Sequence, residues 1–300
     1  MNADLTLFLK GAAMGAANVV PGVSGGTVAL VTGIYRRLID ALGSVGPDSL
    51  KLLLARDLGG FWRAVDGRWL AVLLAGVAAS VVSLAKLVEY LLGSHERATM
   101  AFFFGLIAVS VWYVAKRVER WGPSALAALA AGTAVAVAIA TLAPGTENDA
   151  PWYVFVCGTL AITSMILPGL SGSFVLILTG NYALVLGAVS GFDLGVLVPL
   201  GLGCAVGLVA FARLLGWVFE HHADATLAAM TGFVVGSLVV IWPWKVASVE
   251  TIERANGSAK EVVTGYSWFL PEASAETAVA AGLALAGAAL IVALERVAGD

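Results

Sequence analysis

Residues 21–35 read PGVSGGTVALVTGIY, and residues 168–182 read PGLSGSFVLILTGNY. Eight of the fifteen paired positions are identical at a constant spacing of 147 residues. Proline ends a helix, and glycine adopts backbone angles that other residues avoid, so each stretch predicts a helix interrupted by a turn. Two such turns in one apolar chain indicate a membrane protein that is built from an internal repeat.

A second set of matches extends the repeat beyond the turns at a spacing of 127 residues. The pairs are Lys86 with Arg213, His95 with His222, Thr99 with Thr226, Gly105 with Gly232, and Ser110 with Ser237. The two spacings differ by the approximate length of an amphipathic segment, 48–66, which we expect to form one helix in the cytoplasmic interface. We therefore predict a single membrane domain over 1–300, with a first repeat over 1–145 and a second over 150–296.

The composition requires a bilayer. The chain is 60% hydrophobic and 12% charged, with a mean hydropathy of +0.92, whereas soluble domains are about half apolar and about a quarter charged. The net charge of -3 and the lack of a basic, aromatic-rich cluster predict no nucleic-acid partner.

Six segments are long and apolar enough to cross a membrane. They are roughly 68–92, 99–115, 123–143, 194–219, 225–244 and 275–294.

Four shorter apolar stretches flank the two turns in pairs. They are 5–20 with 27–40, and 152–167 with 174–190. Each pair predicts a re-entrant hairpin, so each half of the chain is one broken-helix hairpin plus three transmembrane helices. Three crossings is an odd number, so the second half must be inverted. The predicted fold is an all-α polytopic membrane protein of two inverted repeats, in which the polar stretch 245–273 is a surface loop.

The basic residues predict the orientation in the membrane, because cytoplasmic loops carry an excess of lysine and arginine. Ten such residues fall on one predicted side: Arg36, Arg37, Lys51, Arg56, Arg63, Arg68, Lys116, Arg117, Arg120 and Arg296. Four fall on the other: Arg97, Lys245, Arg254 and Lys260. We therefore expect a multi-pass protein of the cytoplasmic membrane with both termini in the cytoplasm.

The turns are also the candidate binding site. A broken helix leaves unpaired N–H groups and a positive helix end, which favour an anion such as phosphate, and hydroxyl side chains add donors. The candidate residues are Pro21, Gly22, Ser24, Gly25, Gly26 and Thr27 in the first turn, and Pro168, Gly169, Ser171, Gly172 and Ser173 in the second. The alternative is that both turns are tight packing corners in which serine caps its own helix.

Charged residues in or near the apolar segments are further candidates. Lys86 and Arg213 lie inside predicted spans, where cations are rare and usually functional, although both can also extend towards the interface. Arg36 and Arg37 end the first hairpin, where the positive-inside rule alone can explain them. Glu89 lies one turn after Lys86 and either pairs with it or takes part in proton coupling. His95 and His222 are loop residues or pH-sensitive groups.

No enzyme signature accompanies these features. The sequence has no nucleophile-and-base motif, no phosphate-binding Walker loop and no His-carboxylate cluster. Cys157 and Cys204 both lie in apolar stretches, so we predict neither a disulfide nor a metal site. The sequence therefore favours a protein that is not an enzyme and that uses no cofactor.

The stretches NVVPGVSGGTVALVTGIYRRLI (18–39) and LPGLSGSFVLILTGNY (167–182) resemble the bacterial and archaeal polyprenyl-phosphate transporter family, formerly a membrane domain of unknown function. The resemblance extends over essentially the whole chain. It implies translocation of undecaprenyl phosphate, or a related polyprenyl phosphate, across the cytoplasmic membrane, which returns the lipid carrier to the inner leaflet. Ser173 stands where the first turn has Gly26, so the two half-sites need not be equivalent.

Two alternatives to that function remain open at this stage. Inverted repeats with broken helices suit a secondary transporter of ions or small anions equally well. A membrane-embedded lipid phosphatase would need a nucleophile near an arginine cluster, and the histidines at positions 95 and 222 are the only loop pair available for that role.

Overall fold

The protein is described by a computed structural model that covers residues 3–19, 24–142, 145–253 and 259–298. Within these ranges the chain forms thirteen helices and one two-stranded sheet. The elements are α1 (Ala3–Val19), α2 (Gly25–Val31), α3 (Tyr35–Gly43), α4 (Pro47–Leu54), α5 (Leu58–Ala64), α6 (Gly67–Ala115), α7 (Pro123–Thr141), α8 (Pro151–Ile166), α9 (Gly172–Leu178), α10 (Tyr182–Gly191), α11 (Leu194–His221), α12 (Ala223–Ile241), β1 (Lys245–Glu253), β2 (Ala259–Trp268) and α13 (Ala275–Ala298).

Six apolar helical segments in the described part of the chain are long enough to span a membrane. They are Gly67–Val88, Tyr90–Ala115, Pro123–Thr141, Leu194–His221, Ala223–Ile241 and Ala275–Ala293. These segments coincide with the six that hydropathy predicts, so the prediction of a largely helical, polytopic membrane protein is confirmed. The reason is that about 20 consecutive apolar residues bury their backbone polar groups only as a helix in lipid.

The two halves break their long helices at corresponding residues. His95 interrupts α6 with φ −141° and ψ 44°, and His222 separates α11 from α12 with φ −141° and ψ 49°. In each case a threonine four residues later closes the break. Thr99 Oγ1 donates to the His95 carbonyl at 2.9 Å, and Thr226 Oγ1 donates to the His222 carbonyl at 2.8 Å. The histidines therefore mark two equivalent one-residue breaks.

Glycines set the closest helix contacts, and these contacts also recur in both halves. Gly11 of α1 lies against the Leu73 carbonyl of α6, and Gly158 of α8 lies against the Leu200 carbonyl of α11. A side chain at either glycine would meet backbone atoms, so these helices approach as closely as small residues permit. The pairs α1 with α6 and α8 with α11 are the corresponding interfaces of the two halves.

The later helices pack across the halves rather than within them. Gly105 of α6 lies against Ala284 of α13, whereas its counterpart Gly232 of α12 lies against Leu129 of α7. Each of these helices thus packs on the last helix of the other half. The contacts of Gly105 and Gly232 are therefore reciprocal.

The interfacial segment differs from its prediction as one helix. Residues 48–66 fall in two short helices, α4 and α5, because Arg56 adopts φ 57° and Asp57 starts the second helix by accepting a hydrogen bond from Gly60 N at 2.7 Å. A left-handed residue cannot continue an α-helix. Leu54 and Leu58 remain 85% and 68% exposed on either side of the break, as expected of a segment whose apolar side chains face lipid.

The stretch 245–273 also differs from its prediction as a loop. Strands β1 and β2 pair antiparallel, from Lys245 opposite Trp268 to Glu253 opposite Ala259, with an irregularity between Ser248 and Val249. Valine and threonine recur in both strands, with an isoleucine in β1 and a tyrosine in β2, and these residues favour extended backbone. The expectation of an all-α chain is therefore wrong for this hairpin.

Lys245 begins this hairpin and donates a hydrogen bond to the Val240 carbonyl near the end of α12. Burial lowers the pKa of Lys245 from 10.5 to about 8, against the opposing effect of the nearby Glu96 carboxylate. Between these two pH values the unfolded chain holds more protons on this lysine than the folded chain does. The contribution of Lys245 to the free energy of unfolding should therefore rise with pH across that window.

We expect Lys245→Met to remove this pH dependence. Thermal unfolding of the wild type and of Lys245→Met, measured from pH 7.5 to pH 10, should show the wild type gaining stability relative to the variant as the pH rises. A stability difference that stays constant over this range would contradict the lowered pKa.

Candidate functional site

Both short-helix pairs fold back on themselves. In the first pair, Lys10 of α1 donates from Nζ to the Thr32 carbonyl, just after α2, at 2.9 Å. In the second pair, the hydroxyl of Tyr153 in α8 donates to the Thr179 carbonyl, just after α9, at 2.9 Å. The first hairpin is thus α1–α2 and the second hairpin is α8–α9. Each has its turn at the tip.

The tips of the two hairpins are in direct contact. Ser24 Oγ donates to the Leu167 carbonyl at 3.2 Å, and Gly169 N donates to Thr27 Oγ1 at 3.1 Å. Tyr35, which begins α3, donates from its hydroxyl to the Ile166 carbonyl at 2.9 Å. The two turns therefore meet. The candidates Pro21 and Gly22 lie outside the described residues.

The first turn is closed by its own hydrogen bonds. Gly25 N donates to Asn18 Oδ1 at 2.7 Å, Gly26 N donates to Ser24 Oγ at 3.1 Å, and Thr27 N donates to the Ser24 carbonyl at 3.0 Å. Ser24 and Thr27 are only 3% and 1% exposed. In this conformation the first turn matches the alternative that serine caps its own helix, since its N–H groups already have partners.

The second turn is more open. Ser171 Oγ and Ser173 Oγ lie 2.8 Å apart, and Ser173 is exposed. Met165 occupies the repeat position of Asn18, so no amide oxygen is present to accept from Gly172 N. Within the described residues, the N–H groups of Gly172 and Ser173 have no hydrogen-bond acceptor. The second turn therefore has two hydroxyls and two N–H groups available as donors, of which those of Ser173 belong to an exposed residue and the N–H of Gly172 to a buried one.

Close packing explains why the first turn has glycine where the second has Ser173. A Cβ at Gly26 would lie 2.8 Å from the Ile166 carbonyl oxygen of the second hairpin. Ser173 faces away from such a contact and is exposed. The glycine thus permits the tips to touch, whereas the serine adds a donor on the open side.

The cations at the end of the first hairpin form ion pairs. Arg36 forms two ion pairs, from Nη2 to Glu220 of α11 at 3.0 Å and from Nε to Asp40 at 3.1 Å. Arg37 forms one, from Nε to Asp66 at 2.7 Å. All of these side chains are substantially exposed. These ion pairs link α3 to α11 and to Asp66, the residue before α6, and none of them involves the turns.

Arg213 binds backbone at the end of α3. Its Nε donates to the Gly43 carbonyl and its Nη2 to the Val45 carbonyl, both at 2.9 Å. A cation at a helix C-terminus is favourable because it meets the negative end of the helix dipole. The structure thus gives Arg213 a role in holding α3 against α11 and does not bring it to the turns.

Lys86 and Arg213 are not brought together. The side chain of Lys86 is exposed on α6, and no polar contact joins it to either turn within the described residues. The side chain of Glu89 lies outside the described residues. The proposed Lys86–Glu89 pair and the coupling role of Glu89 therefore stay predictions.

Three further polar residues belong to this region, and the sequence alone does not predict them as site residues. Asn18 accepts a hydrogen bond from the first turn. At the C-terminal end of α2, Arg117 Nη2 donates to the Val31 carbonyl at 2.9 Å, next to the Thr32 carbonyl that accepts from Lys10. Asn18 had a local signal, because it is a polar residue in an apolar stretch just before the turn. Lys10 and Arg117 had none, because their partners are 22 and 86 residues away.

We expect Arg213→Ala to lower the free energy of unfolding by about 1 kcal/mol, because two charge-assisted bonds at the end of α3 are lost from an exposed site. Thermal unfolding of the purified protein measures this effect. Arg120→Ala is the control, since Arg120 is an exposed arginine outside the helices and makes no ion pair in the part of the chain that the structure describes. Unchanged stability together with lost binding of a phosphate ligand would instead assign Arg213 to the ligand.

The chain is similar to proteins of known family. A family model described as undecaprenyl phosphate translocase-like matches residues 14–259. A curated polyprenyl-phosphate transporter of Vibrio cholerae serotype O1 is 44% identical over 259 residues, which is 86% of this chain and 83% of that protein. A polyprenyl-phosphate transporter of Staphylococcus aureus is 32% identical over 255 residues, or 79% of this chain and 85% of that protein. No solved structure matches the chain significantly.

Proposed function

Because this chain belongs to the undecaprenyl phosphate translocase-like family, we propose that it carries a polyprenyl phosphate across the membrane in which its helices are embedded. Both relatives are named polyprenyl-phosphate transporters, which supports this function over an ion transporter or a lipid phosphatase. The proposed direction returns the lipid carrier to the inner leaflet of the cytoplasmic membrane.

The observation that carries the proposal is the open second turn. An exposed pair of hydroxyls, Ser171 and Ser173, lies at the tip of a hairpin inside a strongly apolar protein. A phosphate that leaves water loses its hydration and needs replacement donors. The two hydroxyls and the N–H groups of Gly172 and Ser173 can supply four, so we assign the phosphate to this turn.

The first turn has a different part in this proposal. Ser24, Gly25, Gly26 and Thr27 hold the tip of the second hairpin through the contacts with Leu167 and Gly169. A neutral hydrogen bond contributes only about 1 kcal/mol net, so releasing the tips is within reach of thermal motion. Separation of the tips would free the donors of the first turn and pass the phosphate from one hairpin to the other.

Contacts at the two ends of α7 support an inverted repeat. Arg117, shortly before α7, bonds to Val31 at the end of α2, while Gly145, just after α7, donates to the Leu178 carbonyl of α9 at 2.8 Å. Because α7 is long enough to span the bilayer, the hairpins return at opposite ends of a span. We propose that the phosphate is thereby reached from both leaflets, with both termini in the cytoplasm.

In this proposal the cations act on the lipid head group at long range. Arg36, Arg37 and Arg213 lie around α3, and Lys86 lies on the exposed face of α6. Positive charge near the two membrane surfaces attracts an anionic head group without a direct contact. We therefore propose that these residues raise the local concentration of the lipid rather than bind the phosphate at the turns.

Transport in proteoliposomes tests the function. Labelled undecaprenyl phosphate is incorporated into both leaflets, and its accessibility on the outside is followed with and without protein. We expect protein-dependent exchange between leaflets and no release of inorganic phosphate. Phosphate release would favour the phosphatase, whereas ion flux without lipid movement would favour the ion transporter.

A further inference from the structure

An apolar groove runs along the protein beside the second turn. It has a volume of about 460 Å³ and lies between α7, α11 and α12. Its lining residues are Ala128, Leu167, Phe211, Leu215, Val218, His222, Ala225, Thr226, Ala229, Met230 and Phe233. A cavity of this size is typical of small-molecule sites.

One end of the groove adjoins the turn that is assigned to the phosphate. Leu167 lines the groove and directly precedes Pro168 of that turn. Phe233 also lines it, and the Phe233 carbonyl oxygen would lie 2.6 Å from a Cβ at Gly169. Ser171 and Ser173 do not line the groove but follow Leu167 and Gly169 in the same turn, so a ligand bound at this turn can extend its first tail atoms towards the groove.

The groove is suited to a hydrocarbon chain and not to a second polar group. The polar side chains in its lining are His222 and Thr226, both at the end far from the turn, and the Thr226 hydroxyl already donates to the His222 carbonyl at 2.8 Å. Helix α12 forms its floor, while α7 packs on α12 and α11 packs on α8 and α3. Helices α7 and α11 therefore do not pack closely on each other in the described part of the chain, which leaves the space between them for the groove.

We infer that this groove binds the first isoprene units of the polyprenyl chain, an inference that rests on the proposed function of the second turn. Its volume has room for on the order of three isoprene units at the packing density of organic matter. Branched methyl groups pack against the phenyl rings of Phe211 and Phe233 better than a straight chain does. The groove therefore selects an isoprenoid phosphate over the phosphate of an unbranched alcohol.

Competition binding to the purified protein tests this inference. Labelled undecaprenyl phosphate is displaced with geranyl, farnesyl and geranylgeranyl phosphates, which have two, three and four isoprene units, and with unbranched dodecyl phosphate. We expect affinity to rise by at least about tenfold from two to three units and little beyond, because only buried methyl and methylene groups contribute. Dodecyl phosphate should bind at least about tenfold more weakly than farnesyl phosphate.

Two variants locate the effect. Ala225→Trp fills the groove, and Phe211→Ala removes one of its phenyl rings. Both variants should weaken farnesyl phosphate binding about tenfold. Both should leave the preference for farnesyl phosphate over the corresponding alcohol unchanged. Val206→Trp is the control, because Val206 lies on α11 and is 53% exposed outside the groove. Wild-type affinity in both groove variants, or equal binding of dodecyl and farnesyl phosphate, would overturn the inference. Wild-type protein that binds no undecaprenyl phosphate would instead overturn the proposed function.

Discussion

Replacing Ser171 and Ser173 together with alanine is expected to lower the rate of polyprenyl phosphate transport by about a hundredfold. A hydrogen bond to a charged group contributes roughly 1.5–3 kcal/mol, so the loss of two hydroxyl donors removes at least about 3 kcal/mol from the bound phosphate. The two hydroxyls bond to each other and not to other described residues, so the double variant should unfold at the wild-type temperature.

The leaflet-exchange assay in proteoliposomes measures this effect, with thermal unfolding of the same preparations alongside. Ser190→Ala is the matched control, because it removes an exposed serine of α10 whose hydroxyl bonds only to the Leu186 carbonyl of its own helix. Transport within about twofold of the wild type in the double variant would show that the phosphate does not depend on this hydroxyl pair. The effects of the two single variants need not sum to that of the double variant on a logarithmic scale, because the two hydroxyls are in contact.

Gly169→Ala is expected to lower the free energy of unfolding by about 3 kcal/mol and to abolish transport. Gly169 adopts φ +79°, which costs roughly 1–2 kcal/mol for a residue with a side chain, and a Cβ there would lie 2.6 Å from the Phe233 carbonyl oxygen. The backbone must therefore shift, and the bond from Gly169 N to Thr27 is lost with it.

Thermal unfolding and transport together measure the Gly169 effect. Gly187→Ala is a suitable control, because Gly187 lies in α10 and a Cβ there would meet nothing within 4 Å. That substitution should be neutral or slightly stabilising, since alanine favours a helix. If Gly169→Ala unfolded at the wild-type temperature, the close contact between the second turn and α12 would be ruled out.

The comparison of the two turns suggests why the repeat has diverged. Asn18 and Gly26 make the first turn self-contained and tightly apposed to the second hairpin, while Met165 and Ser173 leave the second turn open. If both turns bound phosphate with equal affinity, no difference in affinity would favour its transfer from one turn to the other. In the proposed transport cycle, unequal turns would give one resting arrangement, from which the release of a few weak hydrogen bonds starts movement.

Much of the fold follows from local properties of the chain. The six spans could be predicted because burial of backbone polar groups in lipid requires long apolar helices, and such helices are visible as runs of apolar residues. The turns could be found because proline and glycine act on their own backbone. The hairpin of β1 and β2 could not be predicted from the polarity of residues 245–273, because a polar stretch also fits a surface loop. Its β-branched residues do favour strands.

Hydropathy and turn residues are properties of the chain itself, and they were enough to predict a polytopic membrane protein with a repeated Pro-Gly turn. Helix packing was needed to show that the first turn is closed and the second more open, and that Arg213 binds the end of α3. The contacts responsible join residues far apart in sequence, such as Ser24 with Leu167 and Arg213 with Gly43. A hydrogen bond depends on a separation of about 3 Å between two atoms, and chain order does not specify that distance until the helices have packed.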